Sequence, residues 1–428
     1  MEPAPPLMID PRLHEIWKDD VVVTCTPLPG ETALERSILP LATQGLHLSV
    51  QNFAQAAHYK HFLYDAQQPP MIAYDACVVC HERVIPASCL TNQHGQQFLT
   101  LGLCLQCGFF QHSRRPPRAW YADYYRSLWD PNARDEKSWP EGAVCRNDAI
   151  AKTYAYLRPG AKVLEVGSGW GTAIAAFDVA GFPSFSVEAT SHRSAFIRER
   201  LQIPCLTGEI ELLPLGEDFL QAESFDLIFS SNVLEHVYNT REVIERIHTL
   251  LKPGGLAYLE LPNYYQENLT LNTHGISHTC NFSYANFLFL LQTVGFDIVR
   301  DHSYVENQRL LVRKAPPLSI EQQQDKLDWM RTLLPYRGLA HLLEKNGLSC
   351  LPANLDHDVE LNMQWFLEAG GMPRQCFINL TFDVLREWSA IMTALKIAIV
   401  HRQPLADFAP LLPIQYVYRS DSVPIWYY

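Results

Sequence analysis

The stretch Val163 to Thr172, V-L-E-V-G-S-G-W-G-T, constrains this chain more than any other. Val163, Leu164 and Val166 make a short apolar strand, Gly167, Gly169 and Gly171 follow at every second position, and Thr172 to Ala180 is helical in composition. Strand, glycine turn and helix open a nucleotide-binding α/β unit. At the carboxyl end of a strand such a turn brings bare backbone against a ligand, often at positive φ, where a Cβ would collide. A dinucleotide fingerprint needs glycines at its first, third and sixth positions. The sixth position is Thr172 counted from Gly167 and Ile174 counted from Gly169, so the NAD pattern fails.

Further landmarks follow in order. Ser184 to Val187 reads as a second strand ending at Glu188, where a carboxylate is placed to accept both hydroxyls of a ribose. Leu206-Thr-Gly-Glu209-Ile-Glu-Leu-Leu-Pro214 follows a third strand. Ser224 to Ser231 is a fourth, after which Asn232-Val-Leu-Glu-His236-Val opens a helix. Leu250-Leu-Lys-Pro-Gly-Gly255 ends that helix before a fifth strand, Leu256 to Leu261. From about Cys145 to Lys314 the alternation is that of a doubly wound sheet.

The acid two residues before three alternating glycines resembles motif I of class I S-adenosylmethionine-dependent methyltransferases. The later segments resemble that family's G-D-A-x-x-L-P (with Glu209 for the usual Asp), S-x-x-V-L-E-H-V and L-K-P-G-G blocks. The resemblance implies a Rossmann-like seven-stranded α/β core with S-adenosylmethionine as cofactor. By the same resemblance the cofactor is held by Glu165, Gly167, Ser168, Gly169, Trp170, Gly171, Glu188, Glu209, Ile210 and Asn232. An amphipathic helix, Phe282 to Val294, and two strands, Gly295 to Arg300 and Arg309 to Arg313, stand where the family has its reversed edge strand.

Upstream, Cys77-Val-Val-Cys80 and Cys104-Leu-Gln-Cys107 offer four thiolates on two short turns, the donor set of a closed tetrahedral zinc site whose role would be structural. The other readings are reduced cysteines packed in a core and, because Cys77 to His81 spells C-x-x-C-H, a haem attachment; Cys89, His81, His94 and His112 are substitute ligands. The expected organisation is an N-terminal segment of unknown role (1–70), a zinc-ribbon-like region (71–120), the methyltransferase domain (121–315) and a C-terminal helical region (316–428). Val21 to Thr24 reads as a strand and Leu34 to Leu41 as a helix. Phe53, His58, Tyr59, His61, Phe62 and Tyr64 fall on one helical face. Arg114-Arg-Pro-Pro-Arg118 reads as a stiff basic linker, and the aromatic run Trp120 to Trp129 either covers the cofactor or anchors the ribbon. The last region reads as three helices, Ile320 to Asn346, Val359 to Gly370 and Phe382 to His401, offering a lid, a substrate platform or a homodimer surface.

A chain of 428 residues needs more than one core. Its net charge of -12 opposes attraction to a polyphosphate backbone, so nucleic acid is a disfavoured partner. Met1 to Asp10 lacks the basic and apolar segments of a secretory signal, and the best apolar run, Ile391 to Val400, is short and contains Lys396. A cytoplasmic protein without membrane association is expected, its 11 cysteines thiols or metal ligands.

Methyl transfer from a sulfonium is a direct displacement that needs collinear positioning and, for a neutral acceptor, a base; histidine suits that task. Candidates after the fifth strand are Asn263, Tyr264, Tyr265, His274 and His278. Ser277-His-Thr-Cys-Asn-Phe-Ser283 resembles the E-H-x-x-x-F-S stretch of sugar C-methyltransferases, which also carry an amino-terminal four-cysteine zinc region; His278 falls on the histidine assigned there as base, with Ser277 where that pattern has Glu. His274 and His236 follow it as candidates. No catalytic metal is expected. The leading expectation is methyl transfer to carbon or oxygen of a small molecule, such as a sugar nucleotide or natural-product intermediate. The alternatives are a protein or RNA methyltransferase that uses the zinc ribbon to bind its substrate, and a non-catalytic cofactor-binding scaffold. Against the nucleic-acid case, the fourth strand ends in Ser230-Ser-Asn-Val and not in a D-P-P-Y type of tetrapeptide.

Overall fold

A computed structural model of the chain describes residues 21–27, 47–50, 71–91, 97–127, 150, 152–216, 218–262, 277–303, 307–328, 330–331, 377–379, 398–400, 416–419 and 424–427. Its centre is a seven-stranded sheet built from β7 (Val163–Val166), β8 (Ser184–Glu188), β9 (Cys205–Thr207), β10 (Phe225–Ser231), β11 (Leu251–Pro262), β13 (Phe296–Asp301) and β14 (Asn307–Lys314). The strand order is β13-β14-β11-β10-β7-β8-β9. The five strands from β7 to β11 are parallel, whereas β14 runs antiparallel to both β11 and β13. That is the reversed edge expected of the class I core.

Successive side chains on these strands feed two different cores. Leu164, Val166, Ile228, Ala257 and Leu259 face one layer, while Val163, Leu227, Phe229, Leu256 and Tyr258 face the other. Both faces are covered, which is why these strands read as continuous apolar runs. Helix α2 (Thr172–Val179) packs Ile174 and Phe177 on one side; α4 (Thr240–Leu250) and α5 (Tyr284–Val294) pack Ile244, Ile247 and Leu290 on the other. α3 (Ser191–Phe196) continues into a π turn, Ile197–Leu201.

A second, antiparallel sheet carries the cysteines. Its order is β12 (Cys280–Asn281), β6 (Phe110–Arg115), β5 (Gln97–Cys104), β4 (Val84–Thr91), β1 (Val21–Pro27) and β2 (His47–Val50), with β3 (Ile72–Ala73) also on β6. It shares a core with the first: Val78, Val79 and Phe109 join the cluster holding Phe282 and Phe287. Polar contacts pin the junction. Arg241 Nε donates to the Val78 carbonyl (2.9 Å), its Nη2 donates to that of Val79, and Asn286 Nδ2 donates to that of Cys107 (2.5 Å).

Several sequence expectations need correction. Residues 71–120 do not fold as a separate ribbon, since β1 and β2 extend their sheet on one side and β12, from the loop after β11, extends it on the other. Unpaired strand edges draw in partners from distant sequence. Arg114 and Arg115 belong to β6 and Arg118 starts α1 (Arg118–Ser127), so only Pro116 and Pro117 remain of the linker. α5 is not amphipathic: Tyr284, Ala285, Phe287, Phe289, Leu290 and Leu291 are all buried, because the second sheet lies against its outer side. The segment Asn232 to Tyr238 is a turn, with α4 starting only at Thr240. Asn232 takes φ 54°, the Thr240 hydroxyl bonds back to the Leu234 carbonyl (2.7 Å), and Asn239 caps the helix by accepting from the Arg241 amide (3.1 Å).

The expected C-terminal helical region is also revised. Residues 320–328 and 330–331 are helical, but β15 (Phe377–Asn379), β16 (Ala398–Val400), β17 (Tyr416–Arg419) and β18 (Pro424–Tyr427) form a sheet of order β15-β16-β18-β17. β16 replaces the end of the expected helix Phe382 to His401. Its apolar run fits either period, and strand pairing decides between them. The helices expected at Leu34 to Leu41 and Val359 to Gly370, and the aromatic face from Phe53 to Tyr64, lie outside the described residues.

Candidate functional site

A cavity of ≈ 300 Å³ opens at the carboxyl edge of β7, β8 and β10, and Gly167, Gly169, Glu188, Glu209, Ile210 and Asn232 line it. Six of the ten residues that resemblance assigns to the cofactor are thereby gathered on one surface. Gly167 and Gly169 have φ of 70° and 56°. A Cβ on Gly167 would lie 2.4 Å from Val233 Cγ2, whereas one on Gly169 meets nothing within 4 Å. Glu188, buried at the end of β8, accepts hydrogen bonds from the Gly169 amide (2.7 Å) and the Thr190 amide (2.9 Å), so the second strand's acid and the glycine turn form one unit.

The remaining four stand behind this surface. Glu165 is buried and accepts from the Ile174 amide (3.0 Å) in the first turn of α2, where a helix dipole favours a carboxylate. Ser168 is buried 2.6 Å from the Ser186 hydroxyl, Trp170 packs edge-on against His192 and Phe196, and Gly171 is the N-cap of α2.

The cavity is also lined by Tyr121 and Tyr125 of α1, from the aromatic run Trp120 to Trp129, and by Tyr238 and Glu211, which local sequence did not single out. The aromatic run upstream of the core was the one available signal. The single Tyr125 hydroxyl proton is shared between the carbonyls of His236 (2.9 Å) and Ser277 (3.3 Å), tying α1 to both loops at this edge. Glu211 has a side chain only 3% exposed, 3.9 Å from Arg118. Burial pushes its carboxyl up to about 7, with Glu209 adding to the shift and Arg118 opposing it.

His236 lines the cavity and His278 stands behind it, their rings 4.5 Å apart and nearly perpendicular. The Ser277 carbonyl lies 3.0 Å from His236 Nδ1 and can only accept, so Nδ1 carries a proton and Nε2 is the basic nitrogen. Nε2 is 3.7 Å from the buried carboxylate of Glu235. The structure thus joins two histidines 42 positions apart, His236 and His278, with Glu235, the neighbour of His236, in the same group. His274 lies outside the described residues.

Cys77, Cys80, Cys104 and Cys107 meet with Sγ···Sγ separations of 3.7 Å (Cys77–Cys107), 3.4 Å (Cys80–Cys104) and 3.6 Å (Cys80–Cys107), and all four sulfurs lie within 4.8 Å of one another. Tetrahedral Zn–S bonds of about 2.3 Å imply sulfurs about 3.8 Å apart, so the donors fit a zinc ion. Each pair sits on a turn followed by a left-handed residue, His81 (φ 65°) or Gly108 (φ 73°). Burial pushes the Cys77 and Cys107 thiols well up, a charge problem that a bound dication resolves. His81 is exposed and His112 buried, and neither belongs to the group; His94 and the Cys89 side chain lie outside the described residues.

Residues 141–352 match the family model for a methyltransferase domain. An uncharacterized protein of Mycobacterium tuberculosis is 30% identical over 120 residues, 27% of this chain and 41% of that protein. Ubiquinone biosynthesis O-methyltransferase of Haemophilus ducreyi is 32% identical over 142 residues, 32% of this chain and 59% of that protein. The chain therefore spans about half the length of the curated relatives it matches. Among solved structures, 1,6-didemethyltoxoflavin-N1-methyltransferase of Burkholderia thailandensis, with S-adenosylhomocysteine bound, aligns at TM-score 0.39 and 17% identity over 51% of this chain and 96% of that one. Magnesium protoporphyrin IX methyltransferase of Synechocystis aligns at TM-score 0.36 and 14% identity over 46% of this chain and 100% of that one. No helix among the described residues is long and apolar enough to cross a membrane. The likeness to a methyltransferase domain is carried by residues 141–352.

Proposed function

We propose that the chain transfers a methyl group from S-adenosylmethionine to carbon or oxygen of a small molecule, such as a sugar nucleotide or natural-product intermediate. The observation that carries this reading is the shared surface of Gly169, Glu188, Ile210 and His236 in one cavity. Gly169 leaves room where a Cβ would stand, Glu188 offers a carboxylate to ribose hydroxyls, and Glu209 with the Ile210 amide reads the adenine edge. S-adenosylmethionine, when bound, supplies an already activated methyl group. The chain's part is to position the acceptor against it and to take up a proton.

His236 Nε2, oriented through Nδ1 by the Ser277 carbonyl and flanked by Glu235, is the group on the cavity wall that takes that proton, with His278 behind it. Zinc at the four cysteines is structural, since four thiolates leave no open coordination position. The small, partly aromatic cavity and the net charge of -12 favour a small acceptor over nucleic acid.

Calorimetric titration of the zinc-quantified protein with S-adenosylmethionine and S-adenosylhomocysteine, beside Gly169→Arg, tests the cofactor. Binding lost in the variant is expected; a folded wild type that binds neither ligand sinks the reading. An acceptor screen that begins with nucleotide sugars then tests the substrate class, with His236→Ala and His278→Ala lowering turnover by about 10²-fold or more if the pair supplies the base.

A further inference from the structure

Arg115 is fully buried at the end of β6, and none of its three side-chain nitrogens has a hydrogen-bond partner among the described residues. Its guanidinium lies between two aromatic faces, 4.0 Å from the centroid of Tyr74 and 4.1 Å from that of Tyr238. Such a sandwich satisfies the faces of the cation and leaves its edge, with five N–H donors, unmet. Arg118, by contrast, has carboxylates for neighbours in Glu242 (2.5 Å) and Glu211 (3.9 Å). In an acidic chain a buried arginine without a carboxylate is costly unless something else supplies the negative charge.

The position of this cation suggests what does. Tyr238 stacks on Arg115 and also lines the cavity, as does Tyr121, whose ring lies 5.8 Å from that of Tyr238. Arg118 adds a second positive charge 5.0 Å from the centroid of the Tyr238 ring. Arg115 is thus separated from the cavity by the ring of Tyr238.

We propose that Arg115 is the binding group for an anionic portion of the acceptor, a phosphate or a carboxylate, which its free edge receives in a bidentate pair when the Tyr238 ring between it and the cavity shifts. The acceptor is accordingly an anion at neutral pH, held on the Tyr238 side of the cavity. This rests on the methyl-transfer reading of the cavity, which the S-adenosylhomocysteine titration tests separately.

The experiment uses the zinc-loaded protein saturated with S-adenosylhomocysteine. Pyrophosphate and malonate are titrated separately into wild type, Arg115→Lys and Arg115→Met, and thermal unfolding is recorded for each without added anion. Wild type is expected to bind at least one probe, and which one it binds identifies the anion as phosphate-like or carboxylate-like. Affinity should fall about thirtyfold or more in Arg115→Met and by a smaller factor in Arg115→Lys, which keeps the charge and loses the fork. Arg115→Met should unfold at the wild-type temperature or above it, because it removes an uncompensated buried charge. The proposal is overturned if neither anion binds the wild type, or if both lysine and methionine variants bind as wild type does. A methionine variant that unfolds well below wild type while anions leave the wild type unmoved would make Arg115 a purely structural stack.

Discussion

Gly167 and Gly169 are two positions apart in one loop, both at positive φ, and the structure predicts opposite consequences for adding one methyl group to each. Any L-residue with this backbone conformation costs about 1–2 kcal/mol. At Gly167 the new Cβ would also lie 2.4 Å and 2.8 Å from the two Cγ atoms of Val233, a stiff β-branched side chain with little freedom to yield. Overpacking of that kind adds about 1–3 kcal/mol. Gly167→Ala is therefore expected to cost about 2–5 kcal/mol, or about 4–20 °C in unfolding temperature for a domain of this size. At Gly169 nothing lies within 4 Å of the added atom, so Gly169→Ala should lose only about 2–8 °C. Its Cβ projects beside the cavity, however, and an intruding methyl group there should weaken S-adenosylhomocysteine by about 5- to 150-fold. Calorimetric titration and thermal unfolding of both variants provide the check. Unimpaired ligand affinity in Gly169→Ala, or equal thermal losses in the two, would refute the reasoning.

Three further outcomes are expected. Elemental analysis should find one zinc per chain in wild type and less in Cys104→Ser, which should also destabilise the second sheet and the shared core; full zinc retention in the variant, or no zinc in wild type, would remove the metal from the account. Burial raises the Glu211 carboxyl from 4.5 to about 7, so the folded state keeps a proton that the unfolded state has released between those values. Its contribution is complete below about pH 4.5 and is lost as pH rises to about 7, a loss of about 3 kcal/mol that Glu211→Gln should abolish, leaving the variant more stable than wild type at pH 8 in thermal melts. Glu188→Gln leaves either the Gly169 or the Thr190 amide facing a donor, and should weaken S-adenosylhomocysteine about tenfold or more by calorimetry.

The edge that carries the cavity was legible because its signals are local. A glycine that must take positive φ, an acid that ends a strand and a helix that follows within a few residues are all set by neighbouring residues, so the loop from Val163 and the carboxylate of Glu188 could be read in order along the chain. The two cysteine pairs were legible for the same reason, each pair lying on one short turn. The acid-plus-glycine spacing did not distinguish residues that line the cavity from those that support it. Glu165 and Ser168 hold the loop from below, a distinction made by the direction of a side chain relative to the sheet.

The sequence by itself determined the strands of the first sheet in chain order, its fold class and the chemistry of the donor sets, since these follow from hydrophobic period and from residue types held a few positions apart. Only the tertiary structure decided that His236 and His278 share a site, that β12 crosses to the cysteine-bearing sheet, that Ala398–Val400 pairs as a strand, and that Arg115 is a buried cation in place of a linker charge. Each of these depends on contacts between distant segments. Strand pairing and burial are settled by whichever surfaces meet when the chain closes, and no short-range pattern records that meeting.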